Sequence, residues 1–293
     1  MGNLKEVRIR IESIKSTQQI TSAMKLVAAS KLRKAQNFIL TMRPYASKLQ
    51  QILQNLSTSI ENSEEAVFSI ERSLQRVLVL IMTSNRGLCG PFNSNVIKAA
   101  RNHIESNFAE LNHQGKVDLF CIGKKGAEYF KKNKFNVVKV NTDIFDLLSY
   151  EAVADIAGDL MVDFASKKYD RIEIIYNRFK NAAVQVLQIE QFLPILPPKL
   201  EPGLELQADY IFEPGKEEMV KLLIPKTLRI QLYKTLLDSL ASEHGARMTA
   251  MQLATDNAQE LLKDLRLSYN KARQAAITNE LVEIVSGAEA LRG

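Results

Sequence analysis

The stretch LRKAQNFILTMRPYASKL, residues 32–49, decides the fold because its apolar positions step alternately by three and four residues. That period is typical of a coiled-coil seam. The pattern continues to residue 60, so the sequence predicts one long helix near the N-terminus. Its predicted seam positions are Leu32, Ala35, Ile39, Met42, Ala46, Leu49, Leu53, Leu56 and Ile60.

A second run with the same stepping lies near the other end of the chain. It falls in the segment 226–286, which has no proline and a single glycine, Gly245. Two long helices at opposite ends of one chain can pair antiparallel, and such a shape suits a shaft or a tether better than an enzyme. The predicted seam positions here are Met251, Ala254, Ala258, Leu261 and Leu265.

Between the two ends the pattern changes to short apolar runs that alternate with helical stretches. This alternation predicts a sheet with helices on its faces, inserted between the two coil segments. A proline-rich linker at 194–202 ends it. The predicted strands are 76–84, 117–122, 137–140, 171–177 and 183–192, and the predicted helices are 93–111, 124–132 and 150–166. The predicted domains are 1–62 and 209–293 for the coil and 74–208 for the α/β domain.

Composition bounds the class of protein. The chain has 293 residues, 46% of them hydrophobic, so it can bury a substantial core. No apolar stretch approaches the roughly 18 residues that cross a bilayer, and the opening MGNLKEVRIRIE has no signal-peptide core. We therefore expect the chain to stay in the compartment where it is made. Cys89 and Cys121 are too few for a disulfide framework, which predicts free thiols in a reducing compartment.

The net charge of +6 is concentrated on the first predicted helix. A basic helix is often a solvated face, but the excess also fits an acidic protein, a membrane surface or nucleic acid. Only Phe38 and Tyr45 offer aromatic rings there, which counts against single-stranded nucleic acid. The basic residues are Lys5, Arg8, Arg10, Lys15, Lys25, Lys31, Arg33, Lys34, Arg43 and Lys48.

Little in the sequence indicates catalysis. The loop SNRGLCGP, residues 84–91, follows a strand and precedes a helix, where doubly wound folds hold phosphate. Neither phosphate-binding fingerprint is present, however, and Pro91 removes a backbone donor, so a tight turn is the favoured interpretation. Cys89 has no base placed beside it, and a structural thiol is favoured. The three histidines lie far apart, which argues against a metal site.

Four separated segments resemble the gamma-subunit family of the F-type rotary ATP synthases, and the resemblance covers essentially the whole chain. They are QITSAMKLVAASK at 19–31, SNRGLCG at 84–90, ASEHGARMTAM at 241–251 continuing to ATDN at 254–257, and YNKARQAAITNELVEIVSG at 269–287. The resemblance implies an antiparallel coiled coil of N- and C-terminal helices with an inserted Rossmann-like domain. This agrees with the architecture predicted from periodicity.

The resemblance also implies function and partners. In this family the coil stands inside a hexamer of alpha and beta subunits, and the globular foot joins epsilon and the membrane c-ring. Rotation of the shaft couples proton flow to ATP synthesis or hydrolysis by the hexamer. The implied protein is not itself an enzyme and has no cofactor. It would be peripheral to the membrane through the complex, on the cytoplasmic face of a bacterial inner membrane.

Site residues are implied only where the family's motifs match. Met24 and Lys25 would face an acidic lever loop of a beta subunit, although Met24 also has seam spacing with Ile20 and Val27 and could lie in the coil core. The C-terminal contacts could equally be solvated helix charges of little energetic weight. Those implied to touch the surrounding sleeve are Arg273, Gln274, Thr278 and Glu283.

The chain departs from the family pattern at three positions. Lys25 stands where several relatives carry Glu, and Asn85 and Pro91 replace an Asp and a Gly often found around the loop. The chloroplast-type regulatory cysteine insertion is absent, which favours a bacterial protein. Two other functions stay open from the residues alone: a nucleotide-binding enzyme using the loop 84–91, and a nucleic-acid-binding coiled coil using the basic helix.

Overall fold

A computed structural model describes residues 4–55, 67–145, 148–195 and 215–291. Two long helices, α1 (Leu4–Asn55) and α6 (Lys216–Ala290), stand at the two ends of the chain. The predicted domain boundaries near 62 and 208 lie outside the described residues. The elements between the long helices are β1 (Val77–Met82), α2 (Phe92–Asn107), α3 (Ala109–His113), β2 (Val117–Ile122), α4 (Lys124–Lys132), β3 (Asn136–Asn141), a 3-10 turn (Asp143–Phe145), α5 (Tyr150–Ala165), β4 (Arg171–Phe179) and β5 (Gln185–Leu193).

The chain forms two compact units. Unit 1 consists of residues 1–28 and 248–293, and within it the described structure is the beginning of α1 and the end of α6. Unit 2 is residues 29–247, which hold the sheet with its helices and the remaining parts of the two long helices.

The sheet of unit 2 has the strand order β3-β2-β1-β4-β5. The first four strands run parallel, with Val77 opposite both Val117 and Arg171, whereas β5 pairs antiparallel with β4. Successive strands are added on one side of β1 up to β3 and on its other side from β4 onward, so the carboxyl ends of β1 and β4 form a topological switch point. The inserted Rossmann-like domain predicted from the sequence is confirmed as a mixed sheet with helices on its faces.

The sheet core follows from the alternation of side chains along buried strands. Val77, Val79 and Ile81 point to one face, where they pack with the apolar stripe of α2 and with α4. Leu78 and Phe120 point to the opposite face, where they lie with Leu160 of α5. All six residues of β1 and of β2 are buried, as expected for parallel strands covered on both faces.

A buried carboxylate, Asp118 of β2, stabilises the end of the sheet at which the parallel strands begin. Asp118 is fully buried and accepts hydrogen bonds from Arg76 Nη2 (2.8 Å), Tyr169 Oη (3.0 Å) and Asn136 Nδ2 (2.6 Å). A buried charge with this many donors is satisfied rather than reactive. We therefore assign this cluster to the fold.

The seam predicted on α1 is confirmed where the structure describes it. Leu32, Ala35, Ile39 and Leu49 are at most 5% exposed. The other two predicted positions in this stretch, Met42 and Ala46, are half-buried. In unit 2 the ring of Tyr45 lies 5.7 Å from Lys226 Nζ, whereas Lys31 lies near the charge of Glu243, so α1 and α6 run antiparallel. The side chain of residue 53 and the predicted positions 56 and 60 lie outside the description.

One predicted seam position on α6 is wrong. Leu261 is 50% exposed, whereas Leu262 is 6% exposed. Positions 251, 255, 258, 262, 265 and 269 are buried or half-buried and keep a three-and-four stepping, so the fourth residue after Ala258 faces α1 rather than the third. The predicted position Ala254 is half-buried as well. Leu261 and Leu262 both fit a three-or-four step from Ala258, so the pattern alone does not distinguish which of them is buried.

Two predicted helix boundaries also differ from the structure. The helix predicted at 93–111 is interrupted at Phe108, whose backbone leaves helical geometry so that its ring enters the sheet core. Helix α6 begins at Lys216 and passes through Pro225, so it extends before the proline-free segment 226–286. Proline removes one backbone hydrogen bond, and the burial of the adjacent Leu223 and Ile224 offsets that loss.

Candidate functional site

Met24 and Lys25 lie side by side on α1 in unit 1, and both are half-buried. Lys25 continues the three-and-four stepping of the buried positions Thr21 and Ala28, so its stem packs toward the seam. Ile20 and Val27, which would share a seam with Met24, are 60% and 58% exposed. The alternative seam through Ile20 and Val27 is therefore wrong, and Met24 lies at the border between the seam and the open surface.

Unit 1 holds its two helices in register with a polar pair that the sequence reasoning missed. Thr21 Oγ1 and Thr255 Oγ1 are 2.8 Å apart, and Thr255 also donates to Met251 O at 2.8 Å. Both threonines occupy positions of the three-and-four stepping, but a search for apolar residues at those positions does not find them because they are polar. A hydroxyl pair in a seam disfavours other registers, because any shift breaks the hydrogen bond between the two helices and places each hydroxyl against apolar seam residues.

The C-terminal candidates lie on the end of α6. Arg273, Gln274, Thr278 and Glu283 are all exposed, and Thr278 Oγ1 donates to Gln274 O at 2.9 Å. Since Thr255 is level with Thr21, Arg273 lies about five helical turns further along α6. The structure therefore does not bring these four residues together with Met24 and Lys25.

The end of α6 also exposes large apolar side chains. Between residues 273 and 290, none of the described residues is fully buried. Ile277, Leu281, Val282, Ile284 and Val285 are each at least 50% exposed, and α1, which begins at Leu4 in the described chain, leaves them uncovered. A cluster of this size on a helix end is typical of a surface that another protein covers.

In unit 2 the switch point of the sheet is filled by the chain's own helix. Arg247 Nη2 donates to the carbonyl oxygens of Arg86 (3.0 Å) and Gly87 (3.2 Å), and Arg247 Nη1 bonds Glu243 Oε1 at 2.8 Å. Both side chains of this pair are 11% exposed. The loop where a nucleotide would be bound in a doubly wound enzyme is thus held by α6.

Further contacts extend this junction between α6 and the sheet. Ala246 packs on Cys89 and Phe92, the two buried apolar residues of the loop and of the first turn of α2. Ser242 Oγ donates to Asn177 O at 2.9 Å, and Asn177 Nδ2 donates to Phe92 O at 3.2 Å. The segment 242–247 therefore joins the long helix to β4 and to the loop after β1.

Cys89 is a structural thiol. It is 1% exposed, Asn93 Nδ2 lies 3.3 Å from its Sγ, and burial raises the pKa of the thiol. A raised pKa keeps the sulfur protonated at neutral pH, which is the opposite of what a nucleophile needs. Cys121 is fully buried in the sheet, and desolvation raises its pKa to about 12.

The histidines occupy separate elements, as expected. His103 on α2 bonds Glu173 on β4, His113 is exposed, and His244 is buried on α6. Within the described residues, no group of three or more histidine, cysteine, aspartate or glutamate side chains could hold a metal ion. No helix among the described residues is long and apolar enough to cross a bilayer.

His244 should make unit 2 sensitive to acid. Desolvation, followed by the charges of Arg247 and Lys31, lowers its pKa from 6.5 to about 4. His244 of the unfolded chain is therefore protonated below about pH 6.5, whereas in the folded chain it stays neutral down to about pH 4. The free energy of unfolding falls by up to about 3 kcal/mol as pH falls through this interval. Glu243 acts in the opposite sense, because burial raises its pKa and its folded form protonates first.

The measurement is urea denaturation at pH 7 and pH 5. We expect His244→Gln to lose clearly less stability over this interval than the unmodified chain. His113→Gln, which changes an exposed histidine, is the matched control and should keep the original pH dependence. If both variants follow the unmodified chain, His244 does not carry the acid sensitivity.

Known proteins match this chain over its full length. The ATP synthase family matches residues 3–291. A gamma chain of the ATP synthase from Flavobacterium psychrophilum is 55% identical over 293 residues, which is 100% of both chains. The chain belongs to the ATP synthase gamma chain family. Another gamma chain, from Cytophaga hutchinsonii, is 52% identical over 99% of both chains.

Solved structures agree with this gamma-chain fold. A chain of the rotor of the Euglena gracilis mitochondrial ATP synthase matches with a TM-score of 0.63 and 22% identity, covering 94% of this chain and 98% of that one. A chain of the same organism's OSCP/F1/c-ring assembly matches with a TM-score of 0.66 and 20% identity, covering 98% and 94%. At such identities the likeness concerns the fold: two long terminal helices and an inserted mixed sheet.

Proposed function

We propose that this gamma chain is the central rotor shaft of a proton-translocating F-type ATP synthase. In this role it couples rotation of the membrane c-ring to ATP synthesis or hydrolysis in a hexamer of alpha and beta subunits. The observation that carries the proposal is the end of α6, whose apolar side chains no described part of the chain covers. A helix end inside a protein sleeve explains this exposure.

The proposal assigns no chemistry to the chain itself. The crevice at the switch point, where a doubly wound enzyme binds its nucleotide, is filled by Arg247 and Ala246 of α6. The ATP chemistry belongs to the neighbouring subunits. We also propose that the globular part contacts epsilon and the c-ring, and that the chain is peripheral to the cytoplasmic face of the membrane through the complex.

Co-expression with alpha and beta subunits tests the role. We expect a tagged chain to recover both subunits in one complex that hydrolyses ATP, and a chain ending at residue 272 to recover less of them. The rival functions give other results. Saturable binding of ATP to the isolated chain would favour a nucleotide-binding enzyme, and salt-sensitive binding of DNA without recovery of the hexamer would favour a nucleic-acid-binding coil.

We propose that Met24 and Lys25 face an acidic loop of a beta subunit, and that Arg273, Gln274, Thr278 and Glu283 touch the sleeve. Met24→Lys tests the first contact. A second cation beside Lys25 should stabilise the rotary orientation in which it meets the acidic loop. If the new ion pair is worth about 1.4 kcal/mol more in that orientation than at the barrier between orientations, turnover falls roughly tenfold. Raising the salt concentration should partly restore the rate, because salt screens exposed pairs.

Two measurements on the same variant separate this contact from a packing defect. We expect a normal melting temperature for the isolated chain and slow, salt-relieved ATP turnover in the complex. Ser16→Lys, which adds a cation at another exposed position of α1, should leave turnover unchanged. A lowered melting temperature with salt-insensitive turnover would contradict the contact, because the lysine would then act by disturbing the packing of the coil.

A further inference from the structure

We propose that a groove between α2 and α4 in unit 2 binds an acidic protein segment that carries apolar side chains. The groove is an open cavity of about 650 Å³ between the exposed flanks of the two helices. Ile97 of α2 and Tyr129 of α4 form its floor, and both pack from outside on the sheet core. We call this feature the basic groove.

The rim of the basic groove carries a clear excess of positive charge. Four cations line it, and the single carboxylate among the lining residues is Glu128. Glu128 is already bonded to Lys125 Nζ at 3.0 Å. The four cations are Lys98 and Arg101 of α2 and Lys125 and Lys132 of α4.

Two of these cations have no ion-pair partner in the described part of the chain. Arg101 lies 3.6 Å from Glu105, and Lys125 has Glu128, but no described carboxylate comes within 4.0 Å of Lys98 or Lys132. Single unpaired lysines are ordinary on a protein surface. Four cations around one apolar floor instead match an occupant that is negative at its edges and apolar at its centre.

The backbone geometry favours a protein segment over a small anion such as phosphate. A phosphate site at the start of α4 would need its free amide groups. These amides are already used, since Lys124 N donates to Asn85 Oδ1 (3.1 Å), Lys125 N to Ser84 O (3.1 Å) and Gly126 N to Thr83 Oγ1 (2.9 Å). At the start of α4, positive charge is therefore offered only by side chains.

The spacing of the cations indicates the length of the occupant. Lys125 and Lys132 lie two turns apart on α4, about 10 Å along the helix axis, and Lys98 and Arg101 lie about one turn apart on α2. A compact anion cannot reach all four side chains, whereas an amphipathic helix or extended segment with acidic residues at similar spacing can. Helix-in-groove binding uses this arrangement of apolar anchors and flanking charges.

A defined peptide tests the basic groove without reference to the rotor role. The probe is a fluorescent 14-residue amphipathic peptide with leucines on one face and glutamates flanking them, titrated against the full chain by fluorescence anisotropy. We expect saturable binding that weakens as salt rises. The double variant Lys98→Glu with Lys132→Glu should weaken this binding at least tenfold.

Matched controls make the result specific. Lys167→Glu with Lys180→Glu makes the same change in net charge at exposed positions outside the groove and should alter the affinity less than twofold. Equal loss in both double variants would overturn the proposal, because binding would then depend on net charge alone. Equally tight binding of a peptide with alanine in place of leucine would also overturn it. So would displacement of the probe by millimolar phosphate or by anionic lipid vesicles.

A second experiment uses the assembled complex, and its failure is distinguishable from failure of the rotor role. A photo-reactive phenylalanine analogue replaces Ser94, an exposed residue at the edge of the groove, and the complex is irradiated after its ATP turnover has been measured. We expect normal turnover and a cross-link to an acidic segment of a protein subunit. Normal turnover with a lipid adduct, or with no adduct at all, would reject the basic groove as a protein-binding surface while leaving the rotor role untouched.

Discussion

Replacing Arg247 by methionine is expected to lower the stability of the folded chain by about 3 to 5 kcal/mol. The guanidinium bonds Glu243 and two loop carbonyls, and the pair is 11% exposed on both sides. Its removal leaves a buried carboxylate without its counter-charge and the carbonyls of Arg86 and Gly87 without this donor. The measurement is urea denaturation of the purified chain at pH 8.

The variant's pH dependence provides an internal check. Burial already raises the pKa of Glu243 despite the nearby charges of Arg247 and Lys31, and loss of Arg247 should raise it further. A carboxyl whose pKa is raised in the folded chain makes that chain more stable as pH falls. The loss of stability caused by Arg247→Met should therefore be smaller at pH 5 than at pH 8.

Three companion variants decide whether the buried pair is the cause. Arg247→Met combined with Glu243→Gln removes the stranded charge and should recover part of the lost stability. Arg247→Lys keeps the charge and should lose less, which covers the case in which the methionine variant fails to fold. Arg101→Met breaks an exposed pair with Glu105 and should change stability by less than about 0.5 kcal/mol. A deficit for Arg247→Met as small as this would contradict the expectation.

Gly123→Ala is expected to be at least as damaging, with a loss of about 4 kcal/mol or more. Gly123 has φ of +99°, and a Cβ built there would lie 2.0 Å from Thr83 O and 2.6 Å from Thr83 C. Both obstacles are backbone atoms at the end of β1, held by the bond from Thr83 N to Ile122 O at 2.8 Å. The chain must either move β1 away from β2 or reshape the turn that opens α4.

Gly158→Ala is the matched control. Gly158 lies inside α5 and a Cβ there would have no heavy atom within 4 Å. Alanine should therefore stabilise the chain by about 0.5 to 1 kcal/mol, since it reduces the freedom of the unfolded state. Thermal melting of both variants would check the pair. If Gly123→Ala melted like Gly158→Ala, the close approach of the two strands would be refuted.

Much of the fold was predictable because its patterns are local. The stepping from Leu32 to Leu49 predicts the buried side of α1, and the apolar runs at 77–82 and 117–122 predict the two central strands. Such periodicity records which side chains leave water, and burial is the main driving force of folding. The resemblance of the chain ends to a known family then predicted how the two helices and the sheet are joined.

The rest depended on contacts between residues far apart in the sequence. Glu243 and Arg247 are four residues apart on a helix, a spacing that usually indicates an exposed pair. The pair is buried here because the loop after β1 packs against α6. Thr21 and Thr255 were missed because each is polar and becomes a seam residue only opposite the other. Sequence reasoning therefore predicted the elements but not the junction at 242–247.

The hydroxyl pair in unit 1 limits how this coil can change in length during evolution. One residue inserted into α1 before Thr21 would rotate all preceding side chains by about 100° relative to Thr21 and move the half-buried positions among them away from α6. Only matched insertions of whole repeats, in both helices at the same level, preserve every contact. Natural variants of this segment should therefore differ in length by steps of about 10 Å, and never by a single residue in one helix alone.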